Sequence, residues 1–248
     1  MRVAAIYDIH GNLSALEAVL DEIRQAGIDQ VVVGGDVVPG PIPLETLKCL
    51  LDLDLPVHCI QGNGEVAVLA ERAGADPGPL PEQALEAIRW TAQQLRPDDE
   101  RWLASWPKTL RLEVSEIGEV LFCHATPRNE NEIFSRLTSE ELLLPVFEGL
   151  GVPLVVCGHT HMQFDRMIGR TRVVNAGSVG MPFGEAGADW LLLGPDVQLR
   201  HTMYDLEKSA ERIRGTEYPQ ARDFAERYVL HPPSEEQMLE VFARAELR

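Results

Sequence analysis

Positive charge is what this chain has least of. Lys and Arg total 22 against 39 Asp and Glu, a formal net charge of −17 over 248 residues. Such a deficit opposes non-specific binding to nucleic acid or to an anionic membrane surface, so neither is an expected partner. An anionic substrate would need local positive charge, and bound metal ions are one way to supply it. Cysteine is also scarce: Cys49, Cys59, Cys123 and Cys157 lie far apart with no CxxC pair. That spacing argues against a disulfide framework and for reduced, mostly buried thiols. No apolar run approaches the ~18 residues needed to span a bilayer. The opening MRVAAIYDIHG breaks at Asp8 and reads as a first strand, not a secretory leader. A cytoplasmic protein is the expectation.

What remains is an ordinary apolar fraction of 45%, enough for one large core or two small ones. The first half alternates. VAAIY (3–7), QVVVGGD (30–36) and PVHCIQ (56–61) have the length of buried strands, and helical spacing fills the intervals between them. SALE (14–17) reads as a capping box opening the first helix. This β-α-β-α-β order predicts a parallel sheet with helical crossovers. Residues 66–105 read as helices interrupted by GADPGPLP (74–81), with Trp90, Trp102 and Trp106 as packing residues.

From 108 the pattern turns to strands, beginning with a hairpin around 116–118. TSEE (138–141) reads as the start of a helix reaching about Leu150, and five further strands follow between 153 and 204. The tail from 205 is helical, and SEEQ (234–237) caps the last helix. The fold expected is α/β: a four-layer αββα sandwich of two mixed β-sheets flanked by helices. One domain over 1–248 is expected, with a core of 1–204 and a helical C-terminal extension of 205–248. In that extension Met238, Leu239, Val241 and Phe242 leave two readings open: packing on their own domain, or the contact of a homo-oligomer.

Five strand ends carry side chains with chemistry. Asp8 and His10 follow the first strand, Asp36 the second and Asn63 the third, while His124 follows VLFC and His159 and His161 follow LVVCG. In open α/β sheets ligands bind beyond the carboxyl ends of strands. Core packing gives no reason for seven Asp, Asn and His residues to gather there. The joint order, DxH (8–10), GD (35–36), GN (62–63), H (124) and GHTH (158–161), resembles the calcineurin-like metallophosphoesterase superfamily, in its compact bacterial and archaeal single-domain branch. The resemblance extends to about residue 204 and includes GDVVPGP (35–41), HATPR (124–128) and NAGSVGMP (175–182).

The resemblance implies a metal-dependent phosphoesterase with two divalent ions. One would be held by Asp8, His10 and His161, the other by Asn63, His124 and His159, with Asp36 bridging. Manganese is the metal the resemblance favours. Iron, zinc or nickel also suits a nitrogen and oxygen donor set without thiolate. A hydroxide bridging the ions would attack a small-molecule phosphodiester or activated monoester. Asn12 is expected behind the ligands. Arg128 is either a phosphate-binding fork or a solvated arginine. NAGSVG reads as a tight turn beside the site, and Met181 and Phe183 as core or substrate mouth.

One position departs from the pattern. The third motif of the family commonly reads GNH followed by an acid, and that histidine is the expected general acid. Here the position is Gly64. A general acid contributes ~10²–10⁴-fold, so its loss implies a preference for diesters or good leaving groups. Some proteins of this fold are interaction scaffolds with a degraded metal site, and a catalytically weak metal-binding scaffold is the alternative reading.

Overall fold

In β1 (Val3–Ile6) every residue is buried, and successive side chains serve different cores. Val3, Ala5 and then Tyr7 point to one apolar cluster, Ala4 and Ile6 to another. That two-sided burial is what a central strand of a covered sheet requires. The computed structural model describes residues 1–247. They form two five-stranded mixed sheets.

In the first sheet β1 lies parallel to β2 (Gln30–Val33), and β2 to β3 (Val57–Cys59). On its other side β1 pairs antiparallel with β9 (Ala188–Leu193), which pairs with β10 (Val197–Thr202). The second sheet opens with the hairpin of β4 (Thr109–Val114) and β5 (Gly118–Cys123). β6 (Leu154–Cys157) runs parallel to β5 and to β8 (Thr171–Asn175), and β7 (Phe164–Ile168) closes the far edge antiparallel to β8.

The sheets face each other across Val32, Val120, Phe122, Val156, Val174 and Leu191. Outside the first sheet pack α1 (Leu13–Gln25), α2 (Pro43–Leu51), α3 (Asn63–Arg72), α4 (Glu82–Gln94) and α5 (Pro97–Ala104). Outside the second lies α6 (Glu140–Phe147), against Cys123, Val155 and Val173. The expected four-layer αββα sandwich is the observed architecture.

Local details differ from the sequence reading. Asn12, not Ser14, caps α1: its side chain accepts from the Ala15 amide at 3.3 Å. Asparagine is as good an N-cap as serine, and its longer side chain holds other partners as well. α6 ends at Phe147, short of Leu150, with Pro145 inside it. The tail folds as α7 (Leu206–Arg214), α8 (Ala221–Phe224), a π-helical segment Ala225–Leu230 and α9 (Glu235–Phe242). Ser234 and Gln237 close the capping box of α9. Val229, Phe224 and Ile213 form a fourth apolar cluster with Leu13 and Ile42, which fastens α7, α8 and the π-helical segment near the loop after β1. α9 has no fully buried residue, though Phe242 reaches Phe183 with ring centroids 6.2 Å apart. Among the described residues no helix is long and apolar enough to cross a membrane.

Candidate metal centre

The seven candidate ligands leave the carboxyl ends of β1, β2, β3, β5 and β6. Backbone hydrogen bonds lace these ends together. The Asp8 amide donates to Gly35 O (3.1 Å), His10 to Asp36 O (2.9 Å), and Gly158 to His124 O (2.8 Å). Asp8, His10, Asp36, His159 and His161 all have positive φ, between 47° and 67°. Left-handed backbone costs a non-glycine residue of order 1–3 kcal/mol and gathers at functional sites. Five such residues, converging from the carboxyl ends of strands in both sheets, are a set of turns that aims side chains inward.

The side chains form two groups, Asp8 with His10 and His161, and Asp36 with His124 and His159; the ligand atoms of each lie within 4.8 Å of one another. Oδ2 of Asp36 sits 3.8 Å from Nε2 of His10 and 3.6 Å from Nε2 of His124, so its carboxylate stands between the groups. Asn63, the first residue of α3, brings Oδ1 to 2.9 Å from His124 Nε2.

The protonation pattern follows from what the outer ring nitrogens face. Nδ1 of His10, His124 and His161 meets the carbonyls of Pro39 (3.3 Å), Gly34 (2.9 Å) and Met181 (2.9 Å). Each Nδ1 therefore carries the proton and donates, and each Nε2 turns a lone pair inward. The inward lone pairs of His10 and His161 are then only 3.2 Å apart. His124 likewise presents a lone pair to Asn63 Oδ1. Asp8 Oδ1, buried and without a hydrogen-bond partner, lies 3.3 Å from His161 Nε2. Acceptors that crowd one another out of water are repulsive unless a cation or proton lies between them. The donor set and the orphaned oxygen both fit divalent cations.

Electrostatics agree. Burial raises the Asp8 carboxyl to about 6, against the pull of His124 and the His159 amide. Burial also raises Asp36 to about 6, against the pull of His10. His10 and His161 are lowered to about 4 by burial, and His159 is held well below its ordinary value for the same reason. Near neutral pH His10, His159 and His161 are uncharged beside two carboxylates short of positive charge, which suits cations.

Surrounding groups hold this arrangement. Asp8 Oδ2 accepts from the His159 amide at 2.8 Å, and Ser178 Oγ donates to Asp8 O at 2.7 Å. Asn175 Nδ2 donates to Gly158 O at 2.7 Å, so the NAGSVG turn props the GHTH loop. Asn12, fully buried, donates to Gly180 O (3.0 Å) and Tyr204 Oη (3.0 Å), binding the loop after His10 to that turn. Phe183 is buried and stacks on His161 at 5.2 Å, while Met181 lines the adjoining cavity.

Four residues acquire roles that sequence reasoning missed or left open. Glu65 is buried, and its carboxylate accepts from the amides of Asp36 (2.8 Å), Gly62 (2.8 Å), Val37 (2.9 Å) and Val38 (3.0 Å). It thereby clamps the loop after β2 to the start of α3. Gly64 has a steric reason: a Cβ there would stand 2.4 Å from Val38 O. Arg128 pairs with Glu132 at 2.7 Å and is absent from the cavity wall beside the candidate ligands. That cavity, about 360 Å³, is bounded by His10, Asp36 and Asn63 at one side, and its one cationic side chain besides histidine is Arg227. The only sequence signal for Arg227 was its place between Phe224 and Tyr228.

Known proteins bear on this geometry. The family model for the calcineurin-like phosphoesterase superfamily domain matches residues 1–194. An uncharacterized protein of Methanocaldococcus jannaschii is 26% identical over 240 residues, covering 88% of this chain and 94% of the relative. A metallophosphoesterase from Sphaerobacter thermophilus superposes with a TM-score of 0.72 at 25% identity, covering 92% of this chain and 98% of the other. A hypothetical protein from Pyrococcus horikoshii reaches a TM-score of 0.79 at 19% identity, covering 94% and 99%, a likeness of fold.

Proposed function

The chain belongs to the calcineurin-like phosphoesterase superfamily, and on that premise we propose that it is a cytoplasmic, two-metal phosphoesterase acting on a small phosphodiester or an activated phosphomonoester. Asp8, His10 and His161 hold one divalent ion, Asn63, His124 and His159 the other, and Asp36 serves both, with manganese the metal of choice. Bound there, the ions supply Lewis acidity, acidify water at neutral pH and neutralise charge on phosphoryl oxygens.

The observation that carries this reading is the crowd of unshared acceptors: His10 against His161, His124 against Asn63, and the orphaned Asp8 oxygen. The chain's own residues do the positioning. The carbonyls of Pro39, Gly34 and Met181 fix the tautomers of three imidazoles. The Gly64 amide fixes Asp36 by donating to Oδ1 at 2.7 Å. In the reaction the P–O bond to the leaving group breaks, and water gives hydroxyl to phosphorus and a proton to the departing oxygen. With glycine at 64 the chain offers no imidazole at that position to deliver the proton, which favours leaving groups that depart as stable anions.

The test combines metal analysis with a manganese-supplemented screen of aryl and alkyl monoesters and diesters, with Asp36→Asn as the blank. Two bound metal equivalents and turnover reduced on the order of 10²–10³-fold in Asp36→Asn are expected. Undiminished turnover in that variant overturns the two-metal assignment, and bound metal with no turnover on any ester favours the scaffold reading.

A further inference from the structure

The cavity beside the candidate metal centre has two kinds of wall. One side is His10, Asp36 and Asn63, within the residues the family model matches; the other includes Tyr218, Phe224, Arg227 and Tyr228, which lie beyond residue 194. The far wall therefore comes partly from a segment outside the shared domain. Its floor is apolar, with Leu80, Ala84, Ala87 and Ile88 contributed by α4 and the loop before it.

The aromatic residues of this wall touch in series. Trp90 meets Tyr218 edge to face at 5.3 Å, Tyr218 meets Phe224 at 6.2 Å, and Phe224 meets Tyr228 at 5.7 Å. Such contacts hold rings rigidly, leaving an apolar surface with little freedom to lose on binding. Arg227 and Tyr228 both ride on the π-helical segment Ala225–Leu230. That conformation is rare, and inside helices it is found frequently at functional sites. Arg227 has no ion-pair or hydrogen-bond partner among the described residues, although the chain carries 39 acidic side chains. Asp223 lines the same cavity, with Gln83 and Gln220 adding amide groups.

Resting on the phosphoesterase reading above, we infer that the substrate is a phosphoester with a flat aromatic arm, the arm seated between α4 and the Phe224–Tyr228 wall and the phosphoryl group shared by the metal centre and Arg227. At about 360 Å³ the cavity is at the small end of ligand pockets, enough for one ring system beside a phosphate. An exposed guanidinium fork contributes a bidentate donor to phosphoryl oxygens, the one such group on this wall. The C-terminal extension is thus the part of the chain that selects the substrate.

Titration calorimetry of the manganese-loaded protein with phenylphosphonate and methylphosphonate tests this without turnover, because the heads are alike and only the arm differs. Burying one phenyl face predicts phenylphosphonate binding on the order of tenfold tighter or more. Ala84→Trp, which fills the floor, should collapse that ratio to within about twofold. Leu80→Ser, should Ala84→Trp fail to fold by circular dichroism, should cut the ratio at least about threefold. Arg227→Gln should weaken both ligands by roughly five- to tenfold while the ratio persists. Equal affinities in the native protein overturn the inference, as does a preference that survives both pocket variants. Binding of neither phosphonate overturns the phosphoesterase reading itself, and the aromatic pocket falls with it.

Discussion

The amide of Gly64 donates to Oδ1 of Asp36 at 2.7 Å, while the other oxygen of that carboxylate stands within 3.8 Å of both His10 and His124. One carboxylate is thus held by backbone on one side and offered to two imidazoles on the other. The glycine permits the close approach. An added Cβ would meet Val38 O at 2.4 Å and Pro39 Cδ at 2.7 Å, with Asp36 Oδ1 at 2.9 Å. Position 64 is more than an acid lost from a pattern: it is a place where the loop after β2 occupies the room a side chain would take.

Gly64→Ala should therefore destabilise the protein by about 1–3 kcal/mol, the usual cost of overpacking. It should also weaken metal binding, since the Asp36 carboxylate must move with the loop. Thermal unfolding with and without manganese measures both. A native-like melting temperature would show that the loop yields freely. By the same steric argument Gly64→His does not restore a proton donor without shifting Val38, so a gain in alkyl monoester turnover in that variant would contradict the close packing seen here.

Glu65 invites a separate prediction, because a single buried carboxylate satisfies four amides: those of Asp36, Val37, Val38 and Gly62. In Glu65→Gln one acceptor oxygen becomes an NH₂ that faces the amides it formerly received. At least one buried donor then goes unpaired, at about 1–3 kcal/mol. Stability should fall by that amount, and metal affinity roughly 10-fold through the displaced Asp36. Glu65→Asp should recover little, since its shorter side chain leaves the clamp open. Denaturant midpoints and metal titration decide the matter.

Much of this was legible beforehand and some was not, for physical reasons. Strand ends are marked by the change from apolar run to Gly, Asp or His, so the candidate ligands and the sandwich could be read from residues close together in the chain. The acid of the third motif and its capping contact with Gly62 are local, but the reach of Glu65 to Val37 and Asp36 spans 28 and 29 residues of sequence, and local pattern carries no trace of that part. Arg227 is further still from His10, and only tertiary packing of α8 and the π-helical segment against Leu13 and Ile42 brings it to the same cavity. From sequence Ser14 and Asn12 both suit the cap, and the choice rests on Asn12 also holding Gly180 and Tyr204.

Arg128 and Arg227 divide the expected arginine effects. Arg128 is about half exposed and forms an ion pair with Glu132 at 2.7 Å. Glu132 is buried and otherwise accepts only from Thr126, so removing the guanidinium leaves a buried carboxylate short of a donor, at about 1–3 kcal/mol. Arg128→Gln should lower stability by about that much and change kcat/KM on an aryl phosphodiester less than about twofold. A tenfold loss of kcat/KM with KM alone affected would instead place Arg128 on the substrate.

Metal stabilisation should depend on pH in a direction the buried groups determine. The Asp8 and Asp36 carboxyls, raised to about 6, hold protons in the metal-free folded protein that the unfolded chain releases nearer pH 4. Their protonation supports the metal-free fold at low pH, and that support is lost as pH rises through about 6. His10 and His161, lowered to about 4, act oppositely: staying neutral, they contribute fully above the unfolded histidine pKa of ~6.5 and lose it as pH falls toward 4. Between these limits the two contributions oppose each other, so the metal-free melting temperature should vary little on their account. A cation needs both carboxylates ionised and the imidazoles unprotonated. The rise in melting temperature on adding manganese should therefore be small at pH 5, grow steeply to pH 7 and level off above it. Chelator at pH 7.5 should remove it entirely. A manganese shift equally large at pH 5 and pH 7.5 would mean that the stabilising ion sits on groups other than Asp8 and Asp36.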